Sequence, residues 1–216
     1  YRPARGSSSL TRLLAAVAML AFALAGCAGV PGLAGLGASG GPRLADVTPV
    51  ADPQAHQGPS TAVMADAALH PIATNPVQQL PVTVTDVQGT EVTITDASRI
   101  LALDIYGTLS RTVYELGLGD KVVGRDTSSG FAEIRGKQLV TPVGHDLSAE
   151  AILALQPSVI ITDTSLGPWD VLLQMRESGI PVVIVDSHRS LDNVGGLIQQ
   201  VADALGVPAE GAELAA

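Results

Sequence analysis

Between residues 100 and 205 the chain repeats one unit, and that repetition limits the fold more than any other feature. Four short apolar runs, "ILALD" (100–104), "KVVGRD" (121–126), "SVIITD" (158–163) and "PVVIVD" (181–186), show no polar–apolar alternation. Helices predicted over 108–116, 148–155, 169–178 and 191–205 separate them, and "QLVTPVG" leads into the second. A strand that is apolar on both sides must be covered on both, as in a parallel sheet flanked by helices. Ahead of this rhythm, "VTVTDVQGTEVTITD" alternates β-branched and polar residues around Gln88-Gly89, which predicts a β-hairpin. The expected class is α/β, a parallel sheet flanked by helices and preceded by a β-hairpin. Order is expected to begin near Pro81, which leaves about 125 residues to Leu205, enough for one core.

The N-terminus is of another kind. Arg2, Arg5 and Arg12 precede an apolar run from Leu13 to Leu24, too short for the roughly 20 residues of a spanning helix. It ends in Leu24-Ala25-Gly26-Cys27, which resembles a bacterial lipobox; residues 1–27 then form a signal peptide and Cys27 is lipidated. Cys27 is the one cysteine of the chain, so no disulfide forms within it. Residues 28–80 are rich in Gly, Pro, Ala and Ser without period, and are expected to be a flexible tether in which His56 and His70 are solvated. The three arginines of residues 1–27 stand against no acid. The rest therefore carries 9 basic and 21 acidic residues, a balance that argues against nucleic acid as a partner.

Four of the runs lead into an aspartate: Asp104, Asp126, Asp163 and Asp186. Ligands of open α/β sheets bind outside the carboxyl ends of the strands, so these acids either line a site or cap the turns that follow. Tyr106, Phe131 and Trp169 fall in strand-to-helix connections at the same edge, where aromatic rings suit a flat apolar ligand or a partner; Tyr114 lies on a helix and reads as core. Arg125, after its strand, pairs with a ligand carboxylate, with Asp126, or with water. His188 lines the same edge or sits in water. No chemistry-bearing motif appears. "GLGDKVVG" places Val122 at the third glycine of a dinucleotide loop and runs from helix to strand, the reverse of that motif. A G-x-S-x-G elbow and paired His or Cys at metal spacing are both missing. The chain does not read as an enzyme.

"RILALD", "SRTVYELGLGDKVVGRD", "TPVGHDLSAEAILALQPSVIITD" and "IPVVIVD", with the lipobox and hairpin before them, resemble the substrate-binding lipoproteins of iron-siderophore, haem and cobalamin ABC importers. The resemblance covers residues 81 to 216. It implies the N-terminal lobe of a two-lobed (class III type) solute-binding protein over 81–206, with 207–216 starting the interlobe helix. The C-terminal lobe is then absent from this chain. It implies a lipid-anchored receptor on the extracytoplasmic face of the membrane, which passes its ligand to an ABC permease. Haem would be a transported ligand, not a catalytic cofactor.

The "GHD" turn is most like the hemin-binding branch, in which His145 is the axial ligand of the haem iron and a tyrosine of the other lobe takes the opposite face. Tyr106, Arg125 and Trp169 would line the ligand. The residues alone allow that role without requiring it. Ser148 can cap the next helix, Glu150 suits its dipole, and Leu147 with Ile152 has hydrophobic-staple spacing. The ring of His145 is therefore not needed by the helix. It is either free for a ligand, with Asp146 or a carbonyl holding its second nitrogen, or solvated. A ferric siderophore or cobalamin is the alternative cargo. Siderophore complexes are usually anionic, and the cations expected within reach are only Arg99, Arg111, Arg125, Arg135 and Lys137. An α/β enzyme completed by a second half is the remaining alternative.

Overall fold

A computed structural model of the chain describes residue 48, residues 50–59 and residues 68–216. The expected signal peptide, Cys27 and most of the expected tether lie outside the described residues. Two compact units divide at Ala67–Ala68. In the first, a 3₁₀ turn spans Pro53–Ala55, started by Asp52, whose carboxylate accepts the N–H groups of Gln54 and Ala55.

The second unit is the expected α/β layer. Strands β1 (Val82–Thr85) and β2 (Glu91–Ile94) pair antiparallel. The turn at Gln88-Gly89 is as expected: the Gly89 N–H donates to the Asp86 carbonyl, and the Asp86 carboxylate accepts the N–H groups of Gln88 and Thr90. Then follow β3 (Ile100–Leu103), α1 (Thr108–Glu115), β4 (Gly124–Arg125), β5 (Gln138–Leu139), α2 (Ala149–Leu155), β6 (Val159–Thr162), α3 (Trp169–Glu177), β7 (Val182–Ile184), α4 (Val194–Ala204) and α5 (Pro208–Leu214). β3, β6 and β7 lie side by side in that order, all parallel, and β4 pairs parallel with β5. A bridge from Ile100 to Val122 sets that second pair beside β3.

Every residue of β3, β6 and β7 is buried. Successive side chains of a strand point to opposite faces, and the core divides accordingly. Ile100, Ala102, Val159, Ile161 and Val183 pack with α1, α4 and the inner face of β2. Leu101, Leu103, Ile160, Val182 and Ile184 pack with α2 and α3. The start of α2 is built as its sequence predicts. Ser148 accepts the Ala151 N–H at 3.2 Å, and Leu147 and Ile152 are both buried in the second cluster.

The ordered unit begins earlier than Pro81. Residues 68–80, read as tether, run as a strap over the first core cluster, with Leu69, Ile72 and Leu80 packed on it. The strap is fastened by backbone bonds: Ile72 N–H to Glu115 O, Asn75 N–H to Gly117 O, and Gln79 N–H to Gly206 O. The His70 N–H donates to the Glu115 carboxylate, so this histidine is docked beside α1 and is not part of a free linker. Three isolated apolar residues among Pro, Ala and Asn carry no period, which is why pattern alone missed them.

Gly117 turns the chain at φ +81°, and an added Cβ would stand 2.1 Å from the Ala73 carbonyl oxygen. Gly117→Ala is expected to cost on the order of 2 kcal/mol. The loss should be visible in urea unfolding and in faster proteolysis between residues 68 and 80. Ser148→Ala, which removes the α2 cap, should cost about 1 kcal/mol in the same unfolding experiment.

Candidate ligand-binding edge

The carboxyl ends of the parallel strands carry the polar chemistry of this unit. Asp104, Asp126 and Asp163 are fully buried, and each takes up N–H groups of the turn after its strand. Asp104 accepts from the N–H groups of Thr108 and Leu109 and from the Thr108 hydroxyl, and so starts α1. Asp126 accepts from the N–H and hydroxyl of Ser129. Asp163 does the same for Ser165, and Asp186 accepts the His188 N–H. Of the two roles open to these acids, the buried three cap turns and are not exposed to a ligand.

Arg189 joins them. Its Nη2 donates to Asp104 Oδ2 at 3.2 Å and to Asp163 Oδ2 at 2.8 Å, both on fully buried side chains. Its Nε donates to the Thr108 hydroxyl and its Nη1 to the carbonyls of Asp186 and His188. One guanidinium thus ties together the ends of β3, β6 and β7. Two buried carboxylates would each need compensation; a planar fork supplies it to both. Asp126 has no such cation among the described residues. Burial pushes its carboxyl up from the ordinary range, and the nearby charge of Asp104 adds to this. Hydrogen bonds from Ser129 and from the Asp104 N–H pull the other way.

His145 lies on this edge. It stands in an exposed turn from Val143 to Asp146, closed by the Asp146 N–H on the Val143 carbonyl, and Gly144 takes φ +59° within it. The turn is held from two sides. The Thr127 hydroxyl, in the loop after β4, donates to the Gly144 carbonyl at 2.9 Å. The Leu147 N–H donates to the carbonyl of Gly167, in the loop after β6. That loop in turn holds the one after β3, through Ile105 N–H to the Ser165 hydroxyl at 3.0 Å. His145 is therefore at the end of the sheet where the strands finish, and its ring is not packed beneath a helix.

The other expected residues divide. Tyr106, in the loop after β3, is 56% exposed, and the Arg189 guanidinium lies 5.2 Å from its ring centroid. Trp169 opens α3 at the same edge but is half-buried against the second core cluster. Arg125 lies within β4, not after it; its Nη1 is spent on the carbonyls of Asp126 and Ser129, and its buried Nε has no hydrogen-bond partner among the described residues. Phe131 corrects an expectation: it turns inward onto Tyr114, edge to face at 5.0 Å, and belongs to the core. His188 is exposed beside Arg189. Val143 and Leu191, exposed at 71% and 95%, add apolar surface to these loops.

The expected set of nearby cations also changes. Arg99 is at the opposite end of the sheet, donating to the carbonyls of Leu155 and Gln156, and Arg111 pairs with Glu115 on α1. Arg189, absent from that set, is the cation at the centre of the edge. Its sequence signal was weak: a basic residue three positions after a strand-ending aspartate.

Comparison with known proteins agrees with the α/β fold. A sequence model of the periplasmic binding protein family matches residues 105–216. The uncharacterized ABC transporter substrate-binding lipoprotein YvrC of Bacillus subtilis (strain 168) is 31% identical over 130 residues, 58% of this chain and 40% of YvrC. Among solved structures, the heme binding protein HmuT is 44% identical with a TM-score of 0.67, over 68% of this chain and 48% of HmuT. The periplasmic heme-binding protein RhuT from Roseiflexus sp. RS-1, in its apo form, is 35% identical with a TM-score of 0.50, over 56% of this chain and 45% of RhuT. The chain spans less than half the length of these relatives. With more than half of its residues matched by the family and the fold in agreement, the chain belongs to the periplasmic binding protein family.

Proposed function

We propose that this chain is the N-terminal lobe of the haem-binding component of an ABC importer, anchored by a lipid on Cys27 to the extracytoplasmic face of the membrane. It captures haem between two lobes and hands it to a membrane permease. No bond of the haem is made or broken. The observation that carries the reading is the placement of His145: an exposed imidazole on a turn held by the loops after β4 and β6. A neutral imidazole is a common axial ligand of haem iron. Around it, exposed Tyr106 and Val143 and half-buried Trp169 offer the apolar, aromatic surface that a porphyrin needs. Heme binding by HmuT and RhuT, the solved relatives, supports the same cargo. The two buried carboxylates on Arg189 take up its charge, leaving little cationic surface for an anionic siderophore.

Produced as the whole gene product and mixed with hemin, the protein should develop a Soret band. In His145→Ala that band should shift and hemin binding should weaken by about 100-fold, since even the outer partners of metal ligands cost 10–100-fold when lost. An unchanged spectrum and affinity would remove His145 from the site. Cobalamin and a ferric hydroxamate siderophore, titrated against Trp169 fluorescence, should leave it unchanged. Tight binding of either in place of hemin would change the cargo.

A further inference from the structure

We propose that Arg189 is a positioning residue of the ligand-binding edge, which fixes the exposed ring of Tyr106 as a platform for a flat ligand. The identity of that ligand rests on the haem reading above. A guanidinium has five N–H bonds and two π faces. Here the hydrogen-bonding groups are all engaged: Nε with Thr108, Nη1 with the carbonyls of Asp186 and His188, and Nη2 with the carboxylates of Asp104 and Asp163. What remains is a cation–π contact: the guanidinium lies over the Tyr106 ring, with 5.2 Å from its carbon to the ring centroid.

Two consequences follow from this engagement. Arg189 does not recruit a ligand's carboxylates, because its charge and its donors are already spent within the protein. Nor can lysine replace it, since a point charge on a flexible stem neither reaches five oxygens at once nor stacks on a ring. Tyr106 is 56% exposed, and an exposed side chain ordinarily samples several rotamers. Held beneath the guanidinium of an arginine whose side chain is only 17% exposed and bound to three strand ends, the ring is ordered before any ligand arrives. Ordering in advance removes part of the entropy that binding would otherwise cost. The link from Arg189 to the ligand therefore runs through Tyr106.

Two measurements on the whole gene product test this. The first uses no ligand. In protein labelled with ¹³C-tyrosine, the Tyr106 ring signal, assigned by its loss in Tyr106→Phe, should lie away from the position of free tyrosine. It should move toward that position in Arg189→Lys. A Tyr106 signal at the free position in the unsubstituted protein overturns the proposal outright, whether or not the lysine variant folds.

The second is a double-mutant cycle in hemin affinity. Arg189→Lys and Tyr106→Ala should each weaken binding about fivefold, the size of an exposed cation–π contact, and the double variant should bind no more weakly than either single one. Losses that multiply to about 25-fold mean the two residues act independently and overturn the proposal. Absence of hemin binding by the unsubstituted protein would overturn the haem reading instead, and the ring signal alone would then decide the role of Arg189.

Discussion

Covering both faces of three parallel strands is the constraint from which the rest of this unit follows. β3, β6 and β7 bury every side chain, each large one contributing about 1.5–3 kcal/mol of apolar burial. With both faces taken by α1 and α4 on one side and α2 and α3 on the other, the sheet has no surface left for polar chemistry except its ends. The amino end is closed, with Arg99 bridging to the carbonyls that finish α2. The carboxyl end is where the loops are, and it carries the exposed side chains of Tyr106, Val143 and His145.

That end contains acids in an apolar setting. Removing a carboxylate from water costs several kcal/mol unless partners replace the water. Asp104 and Asp163 share Arg189, while Asp126 relies on Ser129 and one backbone N–H. Each solution also fixes a loop, because the partners belong to the turns that leave the strands. Satisfying buried charge and immobilising the ligand edge are thus the same set of bonds. An edge held in this way leaves little to be ordered when a ligand arrives.

Much of this was legible in the residues. Unalternating apolar runs placed the strands, and the Ser148 cap with the Leu147–Ile152 pair placed α2 to within a residue. The same reading put His145 at the carboxyl edge, because a turn between a strand and the next helix must lie there. It failed where burial depends on contacts far apart in the chain. The strap from 68 to 80 has composition like a linker and is ordered by bonds to Glu115, Gly117 and Gly206. Phe131 sits in a loop yet packs on Tyr114, 17 positions earlier, and Arg189 meets partners up to 85 positions away.

By itself, then, the order of apolar and polar residues determined the α/β class, the succession of elements and which end of the sheet bears the loops. These follow from local periodicity and from the one-directional run of a parallel sheet. Tertiary structure alone decided that three strand-ending aspartates are buried, that one distant arginine serves two of them, and that its guanidinium lies over the Tyr106 ring. The reason is geometric: whether a charge is compensated depends on which chain segments converge around it, and that convergence has no period to read along the sequence.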